Sequence, residues 1–210
     1  MREKWWFPVV YMFVTTAFFS SIVIGFSQFT SDRVEANEDL AFERAVLAVL
    51  PGLLEKGEGR LQIHRKFVEL VGQPDEQIGG ACRLTVAGQT VAYALPVSGQ
   101  GFWAPIKGVI GLKADRRTIT GIAFYEQNET PGLGAQITTI AFTSQFQAKV
   151  LSSGDKPLNI RPPGAPLGAS DVEAVTGATQ TSTRLEKMIN DALTEWRSKF
   201  AETSGADSTQ

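Results

Sequence analysis

The chain begins with an apolar run that contains no charged side chain. The run extends from Trp5 to Phe26, and the first charge after it is Asp32. Because a helix of about 20 apolar residues spans the hydrocarbon core of a bilayer, the run predicts a transmembrane anchor. A buried hydrophobic helix and a cleaved signal peptide are the alternatives. A signal peptide has a shorter apolar region than this run, so the length of the run favours an uncleaved anchor.

The net charges on the two sides of this run differ in sign. Arg2 and Lys4 precede it, whereas four carboxylates follow it between residues 32 and 39. Positively charged side chains stay on the cytoplasmic side of a membrane helix. We therefore expect a single-pass protein of the bacterial inner membrane with a cytoplasmic amino terminus. The remaining chain would be exported, which in a Gram-negative bacterium means into the periplasm.

Beyond the anchor, apolar residues first recur with helical spacing. Asn37 or Asp39 can cap a helix that ends around residues 51–57. The apolar face of this helix consists of Phe42, Val46, Val49, Leu50 and Leu53. Residues 61–71 fit either a short helix or a strand.

The middle of the chain has patterns that are typical of strands. Apolar and β-branched residues at 82–86 and 90–95 flank a glycine-containing turn, and a third strand is predicted at 109–112. A turn at 115–117 follows. Apolar residues at both alternating sets of positions in 118–126 then predict a strand that is buried on both faces.

The last third of the chain returns to helical spacing. Residues 141–150 have helical character, and 152–170 form a long connection rich in proline and glycine. A final helix is expected to begin near Thr181 or Ser182. Its apolar face consists of Leu185, Met188, Ile189, Ala192, Leu193 and Trp196.

Together these patterns predict an α+β fold, in which one transmembrane helix precedes a single domain with a twisted, mainly antiparallel sheet flanked by helices. The expected divisions are a cytoplasmic stub and anchor at 1–31, a juxtamembrane helix and linker at 32–60, the folded domain at 61–200 and a flexible tail at 201–210.

Composition narrows the possible chemistry. The formal net charge of −2 and the pI near 5.5 do not indicate the clustered positive surface that nucleic acid requires, so no nucleic-acid partner is expected. Cys82 is the only cysteine and His64 the only histidine, and neither has companions at ligand spacing. No metal site is therefore predicted. Any redox chemistry would need an organic cofactor or a metal held by a partner.

One stretch before the final helix combines small and hydroxyl-bearing residues. Small residues let a bulky group approach the backbone, and a helix start offers N–H groups to an anion such as phosphate. The stretch therefore fits a phosphate seat with a threonine nucleophile beside it, although an ordinary Ser/Thr-rich helix cap has a similar composition. Its candidate residues are Thr176, Gly177, Ala178, Thr179, Thr181 and Ser182.

The loop at 126–137, directly after the buried strand, is a second candidate segment. Proline fixes its backbone and two glycines permit positive φ, so the loop can present backbone amides to a planar ligand. A plain surface turn would explain the Pro-Gly pair but not the preceding glutamate and threonine. The candidate residues are Glu129, Thr130, Pro131, Gly132, Leu133 and Gly134.

Two adjacent aromatic residues form a third candidate. Phe102 and Trp103 follow Gly99 and Gly101, which are expected to loosen the chain. The pair can contact a flavin or a quinone, or it can form an edge of the core.

The segments EQNETPGLGAQI at 126–137 and AVTGATQTS at 174–182 resemble the covalent FMN-binding subunits of two complexes. These are the G subunit of the Rnf complex and the C subunit of the Na⁺-translocating NADH:quinone reductase (Nqr). The resemblance covers the plan of the whole chain: a single anchor, an exported FMN-binding domain, the ETPGLG loop and a late S/T-G-A-T motif, in the same order.

This resemblance implies a cofactor and a way of holding it. FMN would be attached through its phosphate to Thr179, which closes the S/T-G-A-T motif, by a periplasmic flavin transferase that uses FAD and Mg²⁺. The ETPGLG loop would lie beside the flavin with Leu133 on the ring, and Trp103 would line the same site. The aspartate that the family usually has three residues before the motif is Glu173 here.

The expected function is electron relay within an Rnf- or Nqr-type ion-translocating oxidoreductase, with the other subunits of that complex as partners. No dinucleotide-binding fingerprint follows a strand, so no hydride donor site is expected, and the chain would not be catalytic alone. The alternatives are a stand-alone exported flavin carrier of another respiratory chain and an anchored binding module without redox chemistry.

Overall fold

The computed structural model describes residues 6–55 and 57–206, without the side chains of residues 32 and 201–206. Contacts divide the chain into two compact units, Met1–Asp39 and Leu40–Gln210. Helix α1 (Phe7–Val49) extends from the first unit into the second.

Within the first unit, the segment Phe7–Ser31 is apolar and long enough to cross a membrane. Most of its large apolar side chains are exposed, as expected of a helix whose natural surroundings are lipid. The apolar helix predicted from the sequence is therefore present from Phe7 onward. Trp5, with which the predicted run begins, and the orienting charges Arg2 and Lys4 lie outside the described residues.

The predicted helix start at Asn37 or Asp39 is wrong, because both residues lie inside α1. The sequence between residues 27 and 50 contains no glycine or proline that would interrupt a helix. The helix ends at Val49, two residues before Pro51, and therefore slightly before the predicted end at residues 51–57.

The second unit is built on one antiparallel sheet with the strand order β1-β2-β3-β4. Its strands are β1 (Cys82–Val86), β2 (Gln89–Gln100), β3 (Pro105–Lys113) and β4 (Ile119–Glu126). The hairpin between β1 and β2 turns at Ala87 and Gly88, which both have positive φ, as a tight two-residue hairpin requires. The predicted strands are confirmed, although β2 and β3 are longer than predicted and pair out to Gln100 and Pro105.

One face of the sheet packs against the last helix, α4 (Thr179–Ala206). Alternation along β2 directs Tyr93, Leu95 and Val97 to this face. Trp196, on α4, also donates a hydrogen bond from its ring N–H to the Ile78 carbonyl at 2.8 Å. The predicted apolar face of the last helix therefore forms much of the core. Its members are Leu185, Met188, Ile189, Leu193 and Trp196, with Ala192 packed at the edge.

The opposite face of the sheet packs against the end of α1 and against α2 (Arg60–Leu70). Val46, Val49 and Phe67 lie here against alternate residues of the strands, Ala92, Ala94 and Val109. Residues 61–71, which fitted a helix or a strand, thus belong to a helix. The sheet is covered by helices on both faces, in agreement with the predicted α+β architecture.

Two predictions for the region after β4 are wrong in part. Helix α3 (Ile140–Thr143) and a 3₁₀ turn at Ser144–Phe146 are helical, but residues 147–150 are not. Gln147 already has an extended backbone, with ψ of 132°, so the helical path ends after Phe146. The long connection at 152–170 also contains a short strand, β5 (Asn159–Arg161), which pairs in parallel with β6 (Asp171–Glu173).

At the carboxyl end, α4 remains helical to Ala206, and residues 207–210 lie outside the described part of the chain.

Candidate functional site

Three segments that are distant in sequence meet at a cleft of 390 Å³. They are the turn between β2 and β3, the loop after β4 and the first turn of α4. The lining residues are Phe102, Trp103, Glu129, Thr130, Leu133, Gly134, Gly177, Ala178, Thr179, Gln180 and Thr181. The three candidate segments of the sequence thus share one site.

Glu129 holds these three segments together. It is only 5% exposed, and its two carboxylate oxygens have different partners. The hydroxyl of Thr181 donates to Oε2 at 2.7 Å, and the backbone N–H of Trp103 donates to Oε1 at 3.0 Å. A carboxylate that accepts hydrogen bonds from two other segments fixes their positions relative to its own loop. Glu129 is therefore a brace of the cleft as well as part of its wall.

The aromatic wall of the cleft is exposed but fixed by specific contacts. The Trp103 ring is 66% exposed, yet its Nε1–H donates to the Thr130 hydroxyl at 3.0 Å. The Phe102 ring packs edge-on against Trp103, with centroids 4.9 Å apart. The Arg184 guanidinium lies 5.8 Å from the Phe102 centroid and donates to the Gly101 carbonyl at 3.1 Å. Two exposed apolar rings are thus held in place where a planar ligand can contact them.

Close packing around Glu129 requires glycine on both sides. A Cβ atom at Gly134 would lie 2.6 Å from Thr181 Oγ1 and 2.8 Å from Glu129 Oε2. A Cβ atom at Gly101 would lie 2.5 Å from Glu129 Oε1. Of the two loop glycines predicted to adopt positive φ, Gly132 does so at 75°, whereas Gly134 does not. Gly134 is therefore required because Glu129 and Thr181 pack closely against it, and not because of its backbone angle. The prediction of positive φ at Gly134 is wrong.

The neighbouring glycines before the aromatic pair are also constrained by packing. Gly99 lies in β2, where a Cβ atom would be 2.8 Å from the Met188 side chain of α4. The expectation that Gly99 and Gly101 loosen the chain is therefore wrong.

The first turn of α4 forms the remaining wall. The helix begins at Thr179, two residues before the earlier of the two predicted starts, after Gly177 with φ of 77°. A Cβ atom at Gly177 would lie 3.1 Å from the Leu133 side chain, so the motif and the loop approach each other here. The first N–H groups of a helix have no partners within the helix and can bind an anion.

The hydroxyl groups of this turn differ in accessibility. Thr181 and Ser182 are 4% and 3% exposed, and both hydroxyls have internal partners: Thr181 donates to Glu129, and Ser182 accepts from the Val175 N–H at 3.3 Å. Thr179 is exposed and lines the cleft. Of the three, Thr179 alone combines an accessible hydroxyl with a place in the cleft wall.

Four of the candidate residues do not line the cleft. These are Thr176, Pro131, Gly132 and Ser182. Gln180 lines the cleft and was not a candidate, although its position next to Thr179 in the first helical turn is a signal that it would face the same space. Phe102 also lines the cleft beside Trp103.

Glu173, which matches the family's aspartate, lies in β6 beside the connection. Its carboxylate accepts a hydrogen bond from the Gly164 N–H at 2.6 Å. On the same strand, the backbone N–H of Gly168 and then the Asn159 amide hold the pKa of the Asp171 carboxyl below its usual value. Both carboxylates therefore order the connection that precedes the motif.

Lys107, on β3, has a carboxylate partner. Its Nζ forms a surface ion pair with Glu126 at 2.5 Å. Within the described part of the chain, no group of three or more histidine, cysteine or carboxylate side chains is placed to hold a metal ion.

Comparisons with known proteins match the part of the chain that contains the cleft. Residues 101–194 match the FMN-binding domain family, and this range contains all lining residues of the cleft. Among curated proteins, the C subunit of the Na⁺-translocating NADH-quinone reductase of Pasteurella multocida is 33% identical over 112 residues, or 52% of this chain and 42% of the relative. The same protein of Haemophilus ducreyi is 28% identical over 188 residues, or 85% of this chain and 69% of the relative.

Coverage of the relatives is incomplete. The chain spans less than half of the length of most of the curated relatives that it matches, for example 28% of the Chlamydia pneumoniae protein at 40% identity.

Two solved structures share the fold. The C subunit of the Na⁺-translocating NADH-quinone reductase from Parabacteroides distasonis superposes with a TM-score of 0.66 at 25% identity, covering 79% of this chain and 94% of that one. NqrC from Shewanella oneidensis superposes with a TM-score of 0.65 at 20% identity, covering 82% and 99%. Residues 101–194 therefore match the FMN-binding domain family, and the chain is similar in sequence and fold to the C subunits of Na⁺-translocating NADH-quinone reductase.

Proposed function

We propose that this chain is a membrane-anchored flavoprotein subunit that relays electrons within an ion-translocating oxidoreductase of the Nqr or Rnf type. FMN would be held covalently by Thr179. The observation that carries the proposal is the meeting of the ETPGLG loop, the aromatic pair and Thr179 around one cleft within the matched FMN-binding range. The relatives are C subunits of Nqr, which favours that complex over Rnf.

The residues of the cleft fit FMN in size and chemistry. A volume of 390 Å³ lies within the range of small-molecule pockets, which are mostly apolar with a few polar groups. Leu133, Phe102 and Trp103 supply apolar surface for a planar ring system. The start of α4 supplies N–H groups and a positive dipole end for a phosphate. When bound, FMN would supply the capacity to accept and release electrons, while the protein sets its surroundings.

Thr179 would hold the cofactor through a phosphoester bond. With FAD as donor, the Thr179 Oγ would bond to the phosphorus nearest the flavin as the P–O bond of the pyrophosphate breaks. AMP would leave, the hydroxyl proton would pass to a base of a flavin transferase, and no electrons would be transferred. The ester keeps one negative charge on the phosphate, which suits the helix start. Because the link is made through the phosphate, the ring remains free to contact the loop and the aromatic pair.

The anchor would place this site outside the cytoplasm. The segment Phe7–Ser31 would span the inner membrane, and the positive charges at Arg2 and Lys4 would keep the amino terminus in the cytoplasm. The FMN domain would then lie in the periplasm, where the other subunits of the complex would deliver and remove electrons.

Expression with and without a flavin transferase tests the attachment. With the transferase, a fluorescent band should persist on a denaturing gel, because a covalent flavin survives denaturation. Thr179→Val should abolish the band. Thr183→Val, which removes an exposed hydroxyl from the same helix outside the cleft, should keep it. A band that survives Thr179→Val would contradict the assignment, and no band in the wild type would contradict the proposed function.

A further inference from the structure

A second cavity with a concentration of positive charge lies near the far end of α4. It has a volume of 340 Å³ and is lined by the arginines Arg116, Arg117 and Arg197, with Ser153 and Phe200 beside them. Arg197 follows Thr179 by 18 helical positions, which corresponds to about 27 Å along the helix axis. This cavity is therefore separate from the flavin cleft and shares no lining residue with it.

The three guanidinium groups have no carboxylate partner among the described residues. Within the part of the chain that the structure describes, none of them lies within 4.0 Å of a carboxylate oxygen. Asp115 is the one carboxylate in the lining, and its oxygens accept hydrogen bonds from the backbone N–H groups of Arg117 and Thr118 and from the Thr118 hydroxyl. The carboxylate is thus engaged in the turn between β3 and β4, and its single negative charge leaves an excess of positive charge from the three arginines in the lining.

Contacts other than ion pairs hold two of the three arginines in place. The Arg197 guanidinium is partly buried and donates to the Ser152 carbonyl at 3.0 Å. The Arg116 guanidinium lies 4.5 Å from the centroid of the Phe200 ring. Burial, and then the positive charge of Arg117, lower the pKa of Arg197. Fixed like charges in a partly desolvated cavity are stabilised when an anion enters.

We propose that this cavity binds a phosphate group. Guanidinium groups match phosphate with paired, charge-assisted hydrogen bonds, and the negative charge of a bound phosphate offsets the repulsion between Arg117 and Arg197. The phosphate can come from free phosphate or from the headgroup of an anionic phospholipid. The proposal does not depend on the bound flavin.

Binding of inorganic phosphate to the full-length chain in neutral detergent tests the proposal by calorimetry. Phosphate should bind more tightly than acetate at equal ionic strength, because it presents more acceptor oxygens to the guanidinium groups than a carboxylate does. Arg117→Gln should weaken phosphate binding about tenfold, since it removes a charge and a bidentate donor. Arg117 is exposed, so this variant should fold normally. Arg65→Gln, which removes an exposed arginine from α2, should bind phosphate as the wild type does.

Nanodiscs distinguish the two sources of phosphate. If the headgroup occupies the cavity, discs containing phosphatidylglycerol should suppress phosphate binding relative to phosphatidylcholine discs, and Arg117→Gln should remove this difference. If free phosphate is the ligand, both kinds of disc should leave its binding unchanged. Equal phosphate affinity in the wild type and Arg117→Gln, or an equal loss in Arg65→Gln, would overturn the proposal.

Discussion

Replacing Glu129 by leucine should destabilise the domain, because this side chain joins three segments. The substitution keeps approximate size but removes both acceptors. The buried Thr181 hydroxyl, now 2.7 Å from Oε2, would lose its partner, which costs about 1.5–3 kcal/mol for a hydrogen bond to a charged group. The Trp103 N–H, now 3.0 Å from Oε1, lies nearer to solvent, and its loss costs about 1 kcal/mol. The expected total is about 2.5–4 kcal/mol.

Thermal unfolding of the full-length chain, followed by near-ultraviolet circular dichroism, measures this effect. For a chain of this size, each kcal/mol shifts Tm by about 2–4 °C, so Glu129→Leu should lower Tm by roughly 10 °C. Glu129→Gln is the matched control for charge. Its carbonyl can accept from Trp103 and its amide can donate to the Thr181 oxygen, so its loss should be about 1 kcal/mol or less.

A substitution outside the cleft completes the comparison. Glu69→Leu removes an exposed carboxylate of α2 and should change stability by less than about 0.5 kcal/mol. If Glu129→Leu is as stable as Glu69→Leu, the Glu129 brace does not contribute to stability. If Glu129→Gln is as unstable as Glu129→Leu, charge and not hydrogen-bond geometry accounts for the effect.

Three further predictions concern single positions. Gly134→Ala should lower the free energy of unfolding, measured in urea, by about 1–3 kcal/mol, because the added Cβ would lie within 3.0 Å of other atoms. Gly154→Ala, which adds a Cβ in open space, should leave it nearly unchanged. Equal effects of the two substitutions would contradict the packing argument. Burial raises the pKa of the Cys82 thiol to about 12, so iodoacetamide should alkylate it at pH 8 in urea but not in the folded protein; rapid alkylation of folded protein would refute this. The contribution of the thiol to stability should be present below about pH 8.5 and should decline as pH rises towards 12. Because the pKa of Asp171 is lowered in the folded protein, its contribution to stability is present above about pH 3.9 and is lost as pH falls through the folded-state pKa. In the Asp171→Asn variant, the free energy of unfolding should therefore fall less steeply below about pH 4 than it does in the wild type. An unchanged pH dependence would contradict this role of Asp171.

Local patterns predicted the fold well where local interactions decide the structure. The strand at 82–86 and the turn after it follow from β-branched residues and a glycine, and the final helix follows from its apolar spacing. The same rules missed β5, because three residues are too few to show alternation. They also placed a helix cap at Asn37, since a capping residue looks the same in sequence whether or not the preceding residues are already helical.

The candidate site was predictable in part. Motifs and their resemblance to a family indicated the loop and Thr179, because those residues are close together in sequence. The partners of Glu129 were not predictable, since Trp103 is 26 positions before it and Thr181 is 52 positions after it. Close approach at Gly134 was mistaken for backbone freedom for the same reason. The sequence alone does not show whether a glycine is needed because there is no room for a Cβ atom or because its backbone φ is positive.

Peptide mapping of the protein made with a flavin transferase tests the central claim most directly. Mass spectrometry of the digest should find the mass of FMN less one water on the peptide that contains Thr179, and fragmentation should place it on Thr179 itself. The Thr179→Val protein should lack the adduct on every peptide. An adduct on Thr176, Thr181 or Ser182, or an unmodified Thr179 in a protein that retains flavin on a denaturing gel, would contradict the account.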